Sequence, residues 1–245
     1  FLSTGAAVAS VTLLPFKAHA GNRFDTALGA IKVNPVDHAS MVLETPVGTI
    51  YVDPVGRAEK YGDFPDPDLI LITHAHGDHY NQDTLGDVVW DGTTLLTNGA
   101  VFEKLPGGMQ RLSTVMANGD TADYQGMKIE AIPAHNLTEG RMTLHPKGRD
   151  NGYVLSLGGV RIYISGDTED IPEMRGLEDI DLAFVCMNLP FTMDIEAAAS
   201  AVAEFAPRFV YPYHFRGEDG GTQDPEAFAK LIGDAVEVRM ATWYG

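Results

Sequence analysis

The alternation of hydrophobic and polar positions predicts many short strands, first in succession and later alternating with helices. Apolar and β-branched runs of three to seven residues are bounded by Gly, Pro, Asn or Asp along most of the chain. The dipeptide Gly158-Gly159 separates two such runs and is typical of a two-residue hairpin. The predicted strands are 29–33, 40–44, 49–52, 69–73, 94–96, 127–132, 153–157, 161–165, 181–187, 208–211 and 236–240.

Three stretches have the spacing or boundary residues of helices: 98–105, 192–207 and 222–233. In the second, Asp194 is a suitable N-cap, and Pro207 follows the expected end. In the third, Asp224 is the predicted cap, and Pro225 fits the first helical position. This order of elements predicts an α/β protein in which helices cover two inner sheets.

Composition and charge narrow the class of protein. The chain has 245 residues, of which 44% are hydrophobic and 21% are charged, as in a soluble globular protein. Its formal net charge of −17 argues against a broad contact with nucleic acid, so none is expected as a partner. The one cysteine, Cys186, lies in the apolar run "DLAFVCM", which predicts a buried and unreactive thiol.

Residues 1–20 differ from the rest of the chain. They carry one charge, Lys17, and end in Ala-His-Ala before a glycine, as at the cleavage site of a secretory signal peptide. The segment resembles the later part of a twin-arginine signal, and its apolar stretch is too short to span a membrane. We therefore predict a signal peptide at 1–20, a mature domain at 21–245 and a periplasmic location. The alternative is an N-terminal helix that packs on the domain.

The stretch "LILITHAHGDHYN" places four potential metal ligands directly after a predicted buried strand. Imidazole nitrogens and carboxylate oxygens suit divalent transition ions, and zinc in particular. The four groups exceed what one ion takes from one loop, which suggests two neighbouring ions. The alternative is a polar loop whose histidines are unrelated. The four candidates are His74, His76, Asp78 and His79.

Further ligands are expected at the ends of other strands. His135 follows a predicted strand in "IPAHN", Asp167 follows one in "YISGDTED", and His214 follows one in "VYPYHF". Each residue alone is weak evidence, because a single polar residue after a strand is common. Together with the histidine-rich loop they predict a shared site.

These ordered motifs resemble those of the metallo-β-lactamase superfamily. The resemblance covers essentially all of residues 21–245 and implies a four-layer αβ/βα sandwich with a site at one edge of its two sheets. It also implies two divalent ions. One would be held by His74, His76 and His135. The other would be held by Asp78, His79 and His214, with Asp167 bridging the two.

Details of the motifs favour the di-metal hydrolases of that superfamily. Asp167 stands where some zinc β-lactamases lack a bridging carboxylate, and His76 stands where oxygen-reducing relatives have Glu. A looser likeness, in "DHASMVLETPVGTIYVDP" and "HPKGRDNGYVLSLGGVRIYISGDT", points to the small ascorbate-phosphate lactonase-like branch. His145 lies in the second segment beside Lys147 and Arg149, where it is predicted to assist catalysis on a small, anionic substrate. The alternative for the segment around His145 is a solvated surface loop without a role in catalysis. His38 either supports the metal ligands or is a histidine of the core.

The implied activity is hydrolysis of a small ester, lactone or amide by a metal-bridging hydroxide. Asp78, Asp167 and His145 are the predicted catalytic residues. Zinc is the expected metal, with manganese, iron or nickel as alternatives. A phosphodiesterase of the same fold and a metal-binding module without turnover remain as the other two functions.

Overall fold

A computed structural model describes residues 22–217 and 223–244 of the chain. The signal peptide predicted at 1–20 lies outside these residues. Within them, no helix has both the length and the apolar character that crossing a membrane requires.

Two mixed sheets of seven strands each form the centre of the fold. In the first sheet the strands follow chain order: β1 (Arg23–Thr26), β2 (Gly29–Asp37), β3 (Ser40–Thr45), β4 (Gly48–Val52), β5 (Leu69–Leu71), β6 (Thr94–Thr97) and β7 (Ser113–Val115). In the second they are β8 (Thr121–Tyr124), β9 (Met127–Ala134), β10 (Asp150–Leu157), β11 (Val160–Ile164), β12 (Leu182–Cys186), β13 (Phe209–Tyr213) and β14 (Glu237–Val238).

Side-chain alternation gives the first sheet two apolar faces. Met41 and Leu43 of β3 join the large core between the sheets, whereas Val42 between them joins a second, smaller core. Successive residues of a strand point to opposite faces, so both faces of this sheet need cover. The smaller core includes Leu85 and Val101, which come from helices outside the sheet.

Six α-helices lie in the described chain. They are α1 (Gln82–Val88), α2 (Gly99–Phe102), α3 (Gly107–Gln110), α4 (Pro172–Arg175), α5 (Ile195–Phe205) and α6 (Pro225–Ile232). Asp194 caps α5 by accepting a hydrogen bond from the backbone N–H of Ala197, and Asp224 caps α6, as predicted. Apolar residues of α5 and α6, including Val202 and Phe228, enter the large core. The result is the predicted sandwich, with helices outside and two sheets inside.

Several elements were not predicted. Strands β1, β7 and β8 are short and partly exposed, so they lack the continuous apolar run of a buried strand. Helix α1 has two buried residues and therefore gives a weak periodic signal. The strand predicted at 236–240 is reduced to Glu237–Val238.

The edge that carries the site is formed by both sheets. β4, β5 and β6 run parallel, as do β11, β12 and β13, so the carboxyl ends within each set lie together. Tyr153 of β10 joins the sheets by donating its buried hydroxyl to the carbonyl of Ile72, at 2.9 Å. The backbone N–H of Asn151 donates to the carbonyl of Thr73, at 3.0 Å. The loops after these strands therefore meet.

Candidate metal centre

The histidine-rich loop begins at His74, three residues after the end of β5. The chain turns at once, because the backbone N–H groups of His79 and Tyr80 both donate to the carbonyl of His76, at 3.1 and 2.8 Å. The turn brings His79 back beside His74, with ring centroids 3.9 Å apart. His74 and His79 are fully buried, whereas His76 is half-buried and Asp78 is exposed.

Asp53, just past the end of β4, holds His79 in place. Its Oδ2 lies 2.7 Å from Nδ1 of His79, and both side chains are fully buried. The same carboxylate accepts hydrogen bonds from the backbone N–H and the hydroxyl of Thr73, at 2.7 and 2.6 Å. A carboxylate on Nδ1 keeps the proton there and leaves Nε2 free for a metal. Asp53 was not among the residues predicted from the sequence, although it follows a strand, as Asp167 does.

A second carboxylate orients His145. Nδ1 of His145 lies 3.2 Å from Oδ2 of Asp150, and both side chains are buried. Arg149 holds Asp150 through two hydrogen bonds of 2.7 Å each, one to each carboxylate oxygen. Arg149 therefore helps to orient His145 by holding Asp150, and its guanidinium is not free to bind a substrate.

Asp167 reaches the site through a turn that requires glycine. Gly166 has φ +60°, and a Cβ there would lie 2.8 Å from the carbonyl oxygen of Asn151. The two oxygens of Asp167 face different imidazoles. Oδ2 is 3.4 Å from Nε2 of His145, whereas Oδ1 is 3.4 Å from Nε2 of His79 and 3.5 Å from Nε2 of His214.

Three groups of side chains, two of which share His74, each place potential ligand atoms within 4.8 Å of one another. The groups are His74, His76 and His145; His74, His79 and Asp167; and His38, Asp78 and His214. Several of these atoms are buried without a hydrogen-bond partner among the described residues: Nε2 of His74, His79 and His214, and Oδ1 of Asp167. Unpartnered buried polar atoms are costly, and a bound cation would satisfy all four. The residues present therefore fit a metal centre.

His135 requires a correction of the predicted ligand set. It belongs to none of the three groups in the described chain. Its backbone N–H donates to the hydroxyl of Thr168, and its carbonyl accepts from that hydroxyl and from the N–H of Glu169. His145, ten residues later in the same loop, lies beside His74 and His76 instead. Both histidines follow β9, and spacing alone does not show which one the loop returns to the site.

Of the seven predicted metal ligands, six come together and His135 does not. The six are His74, His76, Asp78, His79, Asp167 and His214. Of the predicted catalytic residues, Asp78 and Asp167 lie in the centre, and His145 lies there as a candidate ligand. Its predicted loop neighbour Lys147 is exposed and lies 3.5 Å from Glu173.

His38 also belongs to the site. Its ring lies 3.8 Å from that of His214, its Nε2 is 3.5 Å from Oδ2 of Asp78, and its Nδ1 is 2.9 Å from the hydroxyl of Tyr244. His38, Asp53 and His214 all have left-handed backbones, with φ of 51°, 44° and 48°. Such residues cost of order 1–3 kcal/mol each and cluster at functional sites. The presence of three left-handed residues in this region supports its assignment as a functional site.

The electrostatics favour a neutral imidazole at His74, an ionised carboxylate at Asp167 and a positive charge at His79. Burial lowers the pKa of His74 well below its usual range, and nearby His79 lowers it further. Burial opposes ionisation of Asp167, yet His214 and His79 hold its pKa well below the usual range. Burial likewise opposes the charged form of His79, but Asp167 and Asp53 raise its pKa well above the usual range. The carboxylates of Asp53 and Asp167 thus favour a positive charge at His79.

The only cysteine of the chain does not take part. Cys186 is buried behind the site, and burial raises the pKa of its thiol to about 12. The thiol therefore stays protonated at neutral pH, as the apolar sequence around it predicts.

Two cavities lined by described residues open onto the centre. One of about 230 Å³ is lined by His76, Asp78, Leu144, His145, Asp167, Asn188 and Phe191. The other, of about 450 Å³, shares Asp78, Asn188 and Phe191 with it. Four of the candidate ligands lie at the wall of the smaller cavity: His76, Asp78, His145 and Asp167.

Comparison with known proteins places these observations in a family. The family described as "Beta-lactamase superfamily domain" matches residues 32–214, which span His38 and every candidate ligand. A protein from Thermococcus onnurineus, named UPF0173 metal-dependent hydrolase, is 37% identical over 180 residues, covering 70% of this chain and 77% of its own.

Solved structures agree with the fold. A protein from Parabacteroides distasonis, described as a metal-dependent hydrolase, shares 40% identity, with a TM-score of 0.81 over 90% of this chain and 97% of its own. Igni18, a metallo hydrolase from Ignicoccus hospitalis, has a TM-score of 0.71 at 22% identity, over 86% of this chain and 94% of its own. The second likeness concerns the fold alone.

Proposed function

This chain belongs to the β-lactamase superfamily and to its family of metal-dependent hydrolases, and from that premise we propose that it uses two divalent ions to hydrolyse a small ester, lactone or amide. Zinc is the proposed metal, because the candidate ligands are imidazole nitrogens and carboxylate oxygens. Manganese, iron and nickel accept the same ligands.

Two ligand sets support the proposed pair of ions. His74, His76 and His145, one of the three groups described above, would hold one ion. Asp78, His79 and His214 would hold the other, since Nε2 of His214 lies 3.3 Å from Oδ2 of Asp78 and its ring stacks on that of His79 with centroids 4.9 Å apart. The observation that carries the proposal is the position of Asp167. Its two carboxylate oxygens face imidazoles of different ligand sets, at 3.4–3.5 Å. A carboxylate in this position can contact both ions at once.

The ions, when bound, would polarise a carbonyl oxygen and lower the pKa of a coordinated water to near neutral. The chain supplies the positioning and the proton acceptors. Asp167 is held ionised by its imidazole neighbours, so its oxygens can accept a hydrogen bond from an attacking water. Asp78 lies exposed on the cavity wall, where its Oδ2 faces Nε2 of His214 and Nε2 of His38, at 3.3 and 3.5 Å.

Asn188 is proposed as a donor to the substrate. Its side chain is 1% exposed and lines both cavities. The hydroxyl of Thr192 accepts from the backbone N–H of Asn188, so it donates to the side-chain Oδ1 of the same residue. That bond fixes the amide with its NH₂ group free for a substrate oxygen on which negative charge develops.

Metal content and hydrolysis, measured on one preparation, test the proposal. Purified protein should hold about two divalent ions per chain and cleave at least one of a lactone, a nitrophenyl ester, a thioester and a β-lactam. His76→Ala should lose metal together with rate. Cleavage of bis-nitrophenyl phosphate alone would replace the proposal with a phosphodiesterase. Bound metal without turnover of any substrate would favour a non-catalytic module.

A further inference from the structure

The larger cavity offers a substrate room beyond the reacting bond. It adjoins the smaller cavity along Asp78, Asn188 and Phe191 and adds about 450 Å³. A molecule whose carbonyl lies at the candidate metal ligands can therefore extend past Asp78. The far part of this cavity is lined by Asp37, Arg216 and Tyr244 among others.

Arg216 is held in a fixed position on this wall. Its guanidinium lies 3.8 Å from the centre of the Tyr244 ring. The Tyr244 hydroxyl accepts hydrogen bonds from the backbone N–H groups of Phe215 and Arg216, at 3.0 and 3.1 Å. The same tyrosine thus fixes both the backbone and the side chain of Arg216. A guanidinium stacked on a ring keeps its N–H donors in the open plane.

The charge of Arg216 is not compensated within the described chain. No carboxylate there lies within ion-pair distance of its guanidinium, in contrast to Arg149 and Arg175, which are paired with Asp150 and Asp170. Asp37 shares the cavity wall but is paired with Lys60. In a protein of net charge −17, a cation beside the site that pairs with no carboxylate of residues 22–217 or 223–244 is a local attraction for an anion.

We propose that Arg216 binds a carboxylate on the substrate and so selects singly charged substrates over neutral ones. This inference rests on the proposed hydrolase function. A planar guanidinium matches a carboxylate through two parallel hydrogen bonds. One cation, with Asp37 and Asp78 nearby, compensates one negative charge and not the two of a phosphate. The substrate is therefore an ester, lactone or amide that carries a carboxylate away from the reacting bond.

Two esters of equal acyl length provide the kinetic test. Mono-4-nitrophenyl glutarate carries a terminal carboxylate, whereas 4-nitrophenyl pentanoate ends in a methyl group. The wild type should prefer the glutarate ester in kcat/KM. In Arg216→Gln that preference should fall about 10- to 100-fold, mainly through KM, because a charge-assisted pair is lost. Arg216→Lys keeps the charge without the planar fork and should restore part of the preference.

Arg111→Gln is the matched control. Arg111 is exposed, bonds to the carbonyl of Gly107 and lines a different cavity, yet its loss changes the net charge by the same amount. Its ester preference should equal that of the wild type. An equal effect of both variants would overturn the inference, because it would reflect the overall field of the protein. An unchanged preference in Arg216→Gln would also overturn it.

Binding, measured by calorimetry on metal-loaded protein, separates this inference from the proposed function. Glutarate should bind the wild type at least 10-fold more tightly than Arg216→Gln, even if neither ester is cleaved. Cleavage of both esters without any effect of Arg216 on rate or binding would leave the hydrolase and remove the carboxylate site. Tighter, Arg216-dependent binding of 4-phosphonobutyrate than of glutarate would replace the carboxylate with a doubly charged group.

Discussion

Replacing Asp53 with asparagine tests how the fold prepares His79 for a metal. Asp53 Oδ2 accepts a hydrogen bond from the Nδ1–H of His79 at 2.7 Å, and the carboxylate also accepts two hydrogen bonds from Thr73. In Asp53→Asn the remaining oxygen is needed by the backbone N–H of Thr73. The new NH₂ group then faces His79, which must accept on Nδ1 and carry its proton on Nε2. Protonated Nε2 has no lone pair for a metal.

The expected cost is about 10- to 100-fold in affinity at the site that includes His79, the usual effect of losing a carboxylate behind a metal-binding histidine. At 1.36 kcal/mol per tenfold this is about 1.4–2.7 kcal/mol. Zinc titration against a chromophoric chelator measures it, with circular dichroism to confirm the fold. The ion at His74, His76 and His145 should keep its affinity.

Asp181→Asn is the control for this experiment. Asp181 also accepts a backbone hydrogen bond, from the N–H of Arg161 at 2.9 Å, but it precedes β12 and so lies at the opposite edge of the sheet from Asp167. Its substitution should leave zinc affinity unchanged. Wild-type affinity at both sites in Asp53→Asn would refute the role assigned to Asp53.

Three further predictions concern the substrate, the metal and the backbone. Asn188→Ala should lower kcat about 100-fold or more with metal content unchanged, the usual effect of losing a donor to a developing oxyanion; steady-state kinetics on the best substrate would disprove this role if kcat were unaffected. Removing the metal from protein held in free metal at about 100 times the dissociation constant should cost about 2.7 kcal/mol per ion and lower Tm by about 5–11 °C for each, by scanning calorimetry; an unchanged Tm would contradict the fit of the site to a cation. Gly152→Ala should destabilise by about 1–3 kcal/mol in urea unfolding, since its Cβ would lie 2.7 Å from the carbonyl oxygens of Ile164 and Ser165. Gly86→Ala, in α1 with open space around it, should be neutral or stabilising, and equal losses would argue against the close approach at Gly152.

The elements predicted best from the sequence are those whose burial or backbone geometry requires one simple residue pattern. The strand before His74 is an uninterrupted apolar run because both of its faces are covered, and Gly158-Gly159 predicted the hairpin because both residues need positive φ. Short edge strands such as β7 were missed, because partial exposure removes the apolar run that marks a strand.

Site residues that directly follow strands were predicted from the sequence. The histidine that reaches the centre from the long loop after β9 was not predicted as a ligand. Asp167 and His214 come one to three residues after their strands, so the sheet fixes their positions. His135 and His145 lie in one long loop, and the hydrogen bonds that His135 makes to Thr168 and His145 makes to Asp150 decide which histidine reaches the centre. Arg216 depends on Tyr244, a contact between two segments that no local pattern reveals.

Metal content of two histidine variants tests the central claim most directly. His145→Ala should lose about one ion per chain by elemental analysis, because His145 completes the set with His74 and His76. His135→Ala should keep the wild-type content of about two, because His135 lies outside the centre. Full metal content in His145→Ala together with loss in His135→Ala would contradict the account.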